Sequence, residues 1–445
     1  MNFELALTDF RGFHVQPYFP IRPITLLVGE NSAGKSSILA ALKYMHDLLG
    51  GHAEASFNND PFQLGTFDQI AHMRGGRAGR ARSFQIKIRA GVVDKESGSV
   101  STPAPPPKRV EVVAQLGSFE SSALLVSIEV NIERQQLRLR LGAEKPTWEF
   151  KGSDGTVSDL GDSYPFLSGP RVETTRLIHF MLRDVLYSSV RRSKKSDNDT
   201  ARSSDLEKFA RLLGSFLEPF SSDLFASSAI RTKPRRTYTP GIEVEDGEGS
   251  HVPFELAKLA RKRNDVEWTR LKKDIESFGI ASGMFSEIEI KSFGHTASDP
   301  FQIQFASQGP RMNIVDLGYG TSQVLPLLFN SSRHLQGNWY LVQQPEVHLH
   351  PRAQAALGQF FVEAFVSKRQ NFVLETHSDY IVDRIRKAIA DKVLAKFGVS
   401  IIFCERQKLE NRVHDIRLND VGDPVRPPAC YREFFIDEQM KLLGL

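Results

Sequence analysis

One short stretch of the sequence constrains the fold more than any other. Residues 29–36 read GENSAGKS and match the phosphate-binding pattern G-x-x-x-x-G-K-[ST]. The preceding residues 24–28 are mostly apolar, as expected for a buried parallel strand. Residues 36–49 then place apolar side chains at the i, i+3, i+4 spacing of an amphipathic helix, which Gly50-Gly51 would end. This order of strand, loop and helix predicts a phosphate-binding loop at one edge of a parallel sheet.

The residue types in this loop suit a nucleotide phosphate. Gly29 and Gly34 allow the backbone to approach an anion closely, and the following helix presents its positive end to that anion. Lys35 can then reach the β- and γ-phosphates, and the Ser36 hydroxyl can bind Mg²⁺. A glycine-rich turn that held no ligand would have no reason to place a lysine directly after Gly34.

The rest of the chain divides into three parts by its periodicity. Strand-like stretches precede residue 160, helical periodicity dominates about residues 172–280, and strands resume near residue 287. The last third alternates strand and helix, which is typical of a parallel sheet covered by helices. The predicted strands are 2–7, 24–28, 84–89, 110–115, 124–132, 137–141, 287–292, 301–305, 339–342, 372–375 and 400–404. We therefore predict an α/β fold with domains at residues 1–160, a helical insertion at 161–284, and residues 285–445.

Three further stretches carry polar residues where an apolar run ends. Residues 314–323 read IVDLGYGTSQ, residues 339–351 read WYLVQQPEVHLHP, and residues 372–379 read FVLETHSD. Because the carboxyl ends of parallel strands share the edge of the sheet where ligands bind, we expect these tips to meet there. Singly, each has an ordinary explanation: the glycines after Asp316 as a turn, and His377 as a helix cap or core histidine.

The order of these motifs is similar to that of an ATP-binding-cassette (ABC) type ATPase head. The sequence resembles the branch that contains the structural-maintenance-of-chromosomes (SMC), DNA-end-repair and overcoming-lysogenization-defect (OLD) ATPases. The stretches QQPEVHLHPRAQAALGQFF and ETHSDYIVDRIRKAI especially resemble stand-alone OLD-like ATPases of bacterial anti-phage and toxin-type operons. The resemblance covers about residues 1–160 and 285–445. It implies a P-loop parallel sheet with an antiparallel β subdomain, and ATP and Mg²⁺ as cofactors.

The resemblance also implies roles for individual residues. Arg11 and Phe13 would lie near the base, Gln63 or else Gln69 would contact the γ-phosphate or Mg²⁺, and His377 would be the switch histidine. The loop Leu349-His350-Pro351 would couple two sites. The Walker A residues would be Gly29, Asn31, Ser32, Ala33, Gly34, Lys35, Ser36 and Ser37, and the signature residues Gly318, Gly320, Thr321, Ser322 and Gln323. Because such a signature contacts the nucleotide of a second subunit, the implied unit is a head-to-head homodimer or a higher homo-oligomer.

The sequence departs from the family at its acidic motif. Where relatives carry the acid of the Mg²⁺ shell and a catalytic Glu, this chain has Gln343 and Gln344. An amide keeps the shape of a carboxylate but cannot act as a base at neutral pH. We therefore predict impaired hydrolysis, with Gln343 at the metal position and Glu346, the remaining carboxylate of the motif, positioning water. Gln343 is either an engineered Glu→Gln change that traps the ATP-bound state, which we favour because the neighbouring motif is intact, or a natural variant that uses ATP as a structural switch.

Charge and composition limit the expected partners. The chain has 57 Lys and Arg against 53 Asp and Glu, a net charge of +4, which by itself does not indicate nucleic-acid binding. Basic residues concentrate at 191–211, 231–236 and 258–273, either as a DNA-phosphate surface or as solvated helix faces. The cluster Arg74, Arg77, Arg80 and Arg82 is expected to be a mobile loop or a contact for an acidic partner. Since no apolar run is long enough for a membrane helix and only two cysteines occur, we expect a cytoplasmic protein without membrane contact.

The length bears on the function that the resemblance implies. OLD proteins proper carry a TOPRIM nuclease after the head, whereas only about forty residues follow Ile402 here, in which 415–435 are predicted to form a hairpin and tail. The resemblance therefore implies an ATP-dependent sensor and scaffold of anti-phage defence that controls a separately encoded toxin or nuclease. Two alternatives stay open: a DNA-maintenance ATPase acting on DNA ends, and a structural platform that binds ATP without hydrolysing it.

Overall fold

A computed structural model of the chain shows where these motifs lie. The described residues are 2–51, 54–76, 79–93, 106–141, 146–159, 182, 200–241, 244–262, 265–333 and 337–433. Several predictions fall wholly or partly outside them, namely Arg77, residues 191–199 of the first basic stretch, and the tail beyond residue 433.

Strands and helices follow one another along the chain in the order that the periodicity predicts over most of its length. The strands are β1 (Phe3–Phe10), β2 (Phe13–Ile21), β3 (Ile24–Gly29), β4 (Ser83–Val92), β5 (Lys108–Phe119), β6 (Ser122–Ile132), β7 (Gln135–Leu141), β8 (Pro146–Lys151), β9 (Val157–Asp159), β10 (Leu224–Ser227), β11 (Glu287–Ser292), β12 (Phe301–Ala306), β13 (Met312–Asn313), β14 (Trp339–Gln343), β15 (Asn371–Glu375), β16 (Val399–Gln407) and β17 (Glu410–Ile416). The helices are α1 (Lys35–Gly50), α2 (Phe67–Ile70), α3 (Thr200–Leu217), α4 (Val252–Arg261), α5 (Val266–Ser282), α6 (Tyr319–Arg333), α7 (Pro351–Lys368), α8 (Asp379–Ala390) and α9 (Ala429–Arg432).

The sheet that carries the phosphate-binding loop has the strand order β10-β14-β15-β3-β16-β17. Its first five strands are parallel, and β17 returns antiparallel beside β16. Parallel neighbours need a crossover connection, which α7 supplies between β14 and β15. The predicted α/β fold class and the helix-covered parallel sheet of the last third are confirmed.

Alternate residues of these strands face opposite sides of the sheet, as the two-residue period of a strand requires. Leu341 and Val373 belong to the core that includes α1 and the antiparallel sheet, whereas the residues next to them belong to the core beneath α4 to α8. Gln343 and Glu375 lie two residues further along the same two strands. Both therefore lie on the α1 side of the sheet, at its carboxyl edge.

A second sheet packs against the α1 side. Its described strands are antiparallel in the order β2-β1-β4-β5-β6-β7-β8-β9, which confirms the predicted hairpins. The sequence pattern did not predict β2, because Pro17 and Pro20 interrupt it. Proline cannot donate a hydrogen bond to a neighbouring strand and is tolerated at a sheet edge, which is where β2 lies.

The segment predicted as a helical insertion contributes directly to these layers. Phe209 and Leu213 of α3 join the core that includes α1. The strand β10 pairs in parallel with β14, so the prediction that strands are absent from 172–280 is wrong there. Its four residues are too few to show a period, and pairing with β14 is what makes them a strand. The boundaries at residues 161 and 284 stay a prediction.

The remaining strands form a small sheet and a hairpin. In the order β11-β12-β13, the small sheet buries Ile288 and Ile303 in the core that also contains α4 and α5, and it confirms the strands predicted at 287–292 and 301–305. The strands β16 and β17 form a hairpin across the turn at Lys408-Leu409. Within the hairpin predicted at 415–435, Leu418 and Pro424 form an isolated antiparallel bridge. Over the described ranges, no helix combines the length and the apolar character that crossing a membrane requires.

Candidate nucleotide-binding site

The phosphate-binding loop connects β3 to α1 as predicted. Glu30, Asn31 and Ser32 are exposed at its surface, Ala33 is buried, and Gly34 precedes the first turn of α1, which contains no acidic residue. Helix N-termini without a carboxylate of their own favour an external anion. The loop therefore offers an accessible anion site directly above the carboxyl edge of the parallel sheet.

Lys35 is held against the loop backbone. Its Nζ atom donates to the backbone oxygens of Gly29 at 2.9 Å and Glu30 at 2.7 Å. Burial lowers the pKa of Lys35, and the neighbouring carboxylates, Glu375 first among them, oppose that shift. Because an ammonium group has three donors, one remains for a phosphate oxygen.

Gly29 is held in a backbone conformation that only glycine adopts without strain. Its φ is 124°, and an added Cβ atom would overlap the backbone oxygen of Cys404 on β16. We expect Gly29→Ala to cost stability and to weaken nucleotide binding, because β3 must move away from β16 to admit the methyl group. Gly155→Ala is the matched control, since Gly155 has a φ of 86° but open space around it. Urea unfolding and nucleotide titration would check this, and equal losses in the two variants would contradict it.

The Ser36 hydroxyl contacts a carboxylate that the sequence analysis did not identify as functional. Its Oγ atom donates to Oε2 of Glu375 at 2.7 Å. Glu375 is the buried last residue of β15; burial raises its pKa, while the bond from Ser36 and the charge of Lys35 lower it. A hydroxyl and a carboxylate are oxygen donors that suit Mg²⁺, so these two residues fit a metal ion beside the phosphates. The sequence signal that could have identified Glu375 is a carboxylate at the end of an apolar strand, because burying a carboxylate costs free energy unless it has a partner.

Gln343 and Gln344 lie beside this carboxylate. Gln343 is the last residue of β14 and pairs in register with Glu375, and Gln344 adopts a φ of 41° and donates its N–H to the Glu375 backbone oxygen at 2.8 Å. The amide predicted at the metal position is thus next to an acid on the neighbouring strand.

Glu346 connects the loop after β14 to the loop after β15. Its Oε1 accepts from the His377 backbone N–H at 2.7 Å, and its Oε2 accepts from Thr376 Oγ1 at 2.9 Å. Burial raises the pKa of Glu346, and these bonds and the charge of Arg231 oppose the shift. Both carboxylate oxygens accept bonds that orient the His377 backbone, and the predicted role in positioning water stays a prediction.

The predicted histidines occupy loop and helix-start positions. The His377 side chain is exposed, and its pKa is lowered by partial burial and by the charge of Lys35, which favours the neutral imidazole near pH 7. His350 caps α7, where its Nδ1 accepts from the Ala353 N–H at 3.3 Å. The structure thus brings His377 to the same sheet edge as Lys35, whereas His350 has a local capping role.

The predicted signature residues are divided between the surface and the interior of the subunit. Gly318 and Tyr319 are exposed at the start of α6, and the Tyr319 ring contacts the His348 ring at a centroid distance of 4.8 Å. An added Cβ at the buried Gly320 would overlap the His348 backbone oxygen, so α6 packs tightly on the loop after β14. The other three predicted residues, Thr321, Ser322 and Gln323, are also buried. Of the predicted signature, only the start of α6 is therefore exposed at the surface.

The residues predicted near the base and the metal are placed as follows. Phe13 is buried with its ring against Gly34, so it supports the loop from within the fold. Arg11 donates from Nη1 to the Gln69 backbone oxygen at 3.0 Å, and the Gln69 side chain caps α2. Gln63 is exposed in the loop before α2. Gln69 has a local structural role, and the metal contact of Gln63 stays a prediction.

Arg231 does not fit either interpretation of the second basic stretch, 231–236, because its side chain is buried. It is 1% exposed, so it cannot belong to a DNA-phosphate surface. Its Nη2 donates to the Gln343 backbone oxygen at 2.9 Å and its Nε to Ser227 Oγ at 3.3 Å, and burial lowers its pKa to about 10. Gln323 accepts from the Arg231 N–H at 3.3 Å. This arginine therefore supports β14 from beneath the site.

Several basic residues of the second and third stretches are paired with acids. Arg236 forms an ion pair with Asp316, and within 258–273 the pairs are Lys258–Glu255, Lys262–Asp265 and Lys272–Glu276. Exposed pairs of this kind suit the interpretation of solvated helix faces better than that of a DNA surface.

Comparisons with known proteins agree with the motif. A family model described as "AAA domain, putative AbiEii toxin, Type IV TA system" matches residues 24–383. A comparison with curated proteins found no match.

Among solved structures, the chain is similar to an Smc head bound to the C-winged helix domain of ScpA, with 12% identity, coverage of 93% of this chain and 98% of that one, and a TM-score of 0.45. It is also similar to a Pyrococcus furiosus Smc head with an extended coiled coil bound to the C-terminal domain of ScpA (13% identity, coverage 100% and 99%, TM-score 0.41). A third is the SMC head domain from Thermotoga maritima (10% identity, coverage 93% and 98%, TM-score 0.40). Since the family match spans more than half of the chain, the protein belongs to the AAA-domain ATPase family of that description.

Proposed function

We propose that the chain binds ATP with Mg²⁺ at the loop between β3 and α1 and uses ATP to bring two copies together head to head. The observation that carries this proposal is the convergence of Lys35, Ser36 and Glu375 at one exposed loop. Lys35 and the N-terminus of α1 hold the phosphates, and the Ser36 hydroxyl holds the metal ion. Bound Mg²⁺ supplies positive charge that neutralises the phosphate oxygens.

The exposure of both halves of a composite site supports association of two copies. Residues 30–32 of the loop and Gly318 and Tyr319 at the start of α6 are all exposed, so each can meet a complementary surface of another subunit. The positive end of α6 would then approach the γ-phosphate bound by the partner copy. ATP would add contacts between subunits, and its hydrolysis would remove them.

We further propose that this ATP-dependent dimer is a sensor and scaffold of anti-phage defence that controls a separately encoded toxin or nuclease. The family description, which names an AbiEii toxin and a Type IV TA system, supports a toxin-related setting. The alternative of a DNA-maintenance ATPase depends on a basic surface, and the burial of Arg231 and the pairing of Arg236 weaken that support. A platform that binds ATP without hydrolysis is the third candidate.

Mass measurement with and without Mg²⁺ and ATP tests the first part of the proposal. We expect the wild type to shift from monomer to dimer with ATP and the Lys35→Ala variant to stay unshifted. An unchanged mass in a protein that binds ATP would contradict ATP-driven association.

Co-purification with the product of the neighbouring gene tests the second part of the proposal. A stable toxin or nuclease partner supports control of an effector, whereas clamping on DNA without a partner favours the DNA-maintenance alternative.

A further inference from the structure

We propose that Glu375 on β15 provides the carboxylate of the Mg²⁺ site, in place of the acid that is missing at Gln343 on β14. The carboxylate would thus lie one strand nearer to the phosphate-binding loop than the acid that the resemblance implies on β14. This inference rests on the proposed function, because it requires that ATP and Mg²⁺ bind at Ser36.

The sheet order makes such an exchange geometrically simple. β15 lies between β14 and β3, and Gln343 and Glu375 are paired in register on the α1 side of the sheet. Neighbouring strands are about 4.8 Å apart, so a carboxylate on β15 starts one strand nearer to the loop than a carboxylate on β14. From this position Oε2 of Glu375 lies 2.7 Å from Ser36 Oγ.

Glu346 is a second, partly buried carboxylate near Lys35, and its contacts give it a different role. Its two oxygens accept from Thr376 Oγ1 and the His377 N–H, which fixes it in the loop after β14. Glu375 instead contacts Ser36, the hydroxyl expected to bind the metal ion. Of the two, Glu375 is therefore the candidate metal carboxylate.

The amide at Gln343 is consistent with this assignment. Two carboxylates side by side at the buried end of two paired strands would repel each other, whereas an amide beside Glu375 carries no charge. The uncharged amide at residue 343 then avoids repulsion with the carboxylate at residue 375. On this proposal Gln343 is a natural residue, and hydrolysis does not depend on an acid at that position.

The ordinary alternative is that Glu375 only accepts a bond from Ser36 and so stabilises the first turn of α1. The two roles differ in metal binding, which can be measured apart from turnover. Mn²⁺ binding to the protein with AMP-PNP, followed by electron paramagnetic resonance, reports the metal site, and AMP-PNP binding in EDTA reports the phosphate loop without metal.

We expect Glu375→Gln to lower Mn²⁺ affinity about 10–100-fold while AMP-PNP binding in EDTA stays at least as tight as in the wild type. Glu111→Gln is the matched control, because Glu111 on β5 also accepts a hydrogen bond from a hydroxyl, that of Tyr18 rather than that of Ser36. It should bind Mn²⁺ like the wild type. Gln343→Glu alone should give no gain in Mn²⁺ affinity, and adding it to Glu375→Gln should restore at least tenfold of the loss.

Two results would overturn the proposal. One is a folded Glu375→Gln variant with wild-type Mn²⁺ affinity, and the other is a tenfold gain in Mn²⁺ affinity from Gln343→Glu alone. Glu375→Asp provides a second variant that keeps the charge, and it should keep part of the Mn²⁺ affinity. If the wild type bound AMP-PNP neither in EDTA nor with metal, the proposed function itself would fail, which is a different outcome from either of these.

Discussion

Replacing Lys35 with alanine is expected to weaken Mg²⁺–ATP binding about 100-fold, or about 3 kcal/mol. Lys35 Nζ lies on the loop backbone with two carbonyl contacts and a third donor available, and hydrogen bonds to charged groups are the strong ones. The variant should stay folded, because burial already disfavours the lysine charge. Titration with a fluorescent ATP analogue would measure the loss.

Lys43→Ala is the matched control for this prediction. Lys43 lies two turns further along α1 and pairs with Asp47, away from the loop. Its replacement removes the same charge from the same helix and should leave ATP affinity unchanged. Equal ATP affinity of the Lys35→Ala variant and the wild type would mean that the loop does not bind phosphate.

Replacing Arg231 with alanine is expected to lower the free energy of unfolding by about 3–5 kcal/mol. The change leaves a cavity and removes donors from the Gln343 backbone oxygen and from Ser227 Oγ. It also removes a positive charge that opposes the raised pKa of Glu346. Since β14 ends at Gln343, we expect the variant to lose ATP turnover as well as stability. Urea unfolding and steady-state ATP hydrolysis would measure the two losses.

Two other substitutions separate the effect of losing a buried side chain from the effect of losing an arginine charge. Arg236→Ala removes an arginine of the same stretch that is exposed and paired with Asp316, and it should unfold at the wild-type urea midpoint. Arg231→Met fills most of the cavity without a buried charge and should recover much of the stability that alanine loses. If Arg231→Ala unfolded at the same urea midpoint as Arg236→Ala, the support of β14 by Arg231 would be disproved.

The strand, loop and helix around Lys35 could be predicted because all their information is local. The apolar run of β3, the glycine loop and the periodic face of α1 lie within 27 consecutive residues, from Ile24 to Gly50. The hairpins from β4 to β7 and the alternation from β14 to β16 were predictable for the same reason. The periodicity of a long segment predicts which of its faces is buried, whatever that face packs against.

Other features depended on contacts between distant parts of the chain. β10 is a strand only because it pairs with β14, and β2 tolerates its prolines only because it lies at a sheet edge. The basic stretch at 231–236 gave no sign of which arginine would be buried. A residue's neighbours in space decide its burial, and composition along the chain does not contain them.

The candidate site shows the same division. The sequence by itself determined that a phosphate-binding loop precedes α1 and that residue 343 is an amide, at a position where the resemblance implies an acid. Only the tertiary structure decided that Glu375, 339 residues away from Ser36 along the chain, lies at the Ser36 hydroxyl. The physical reason is the parallel sheet: its strand order and register place the ends of β14 and β15 side by side next to β3, a relation that no local pattern contains.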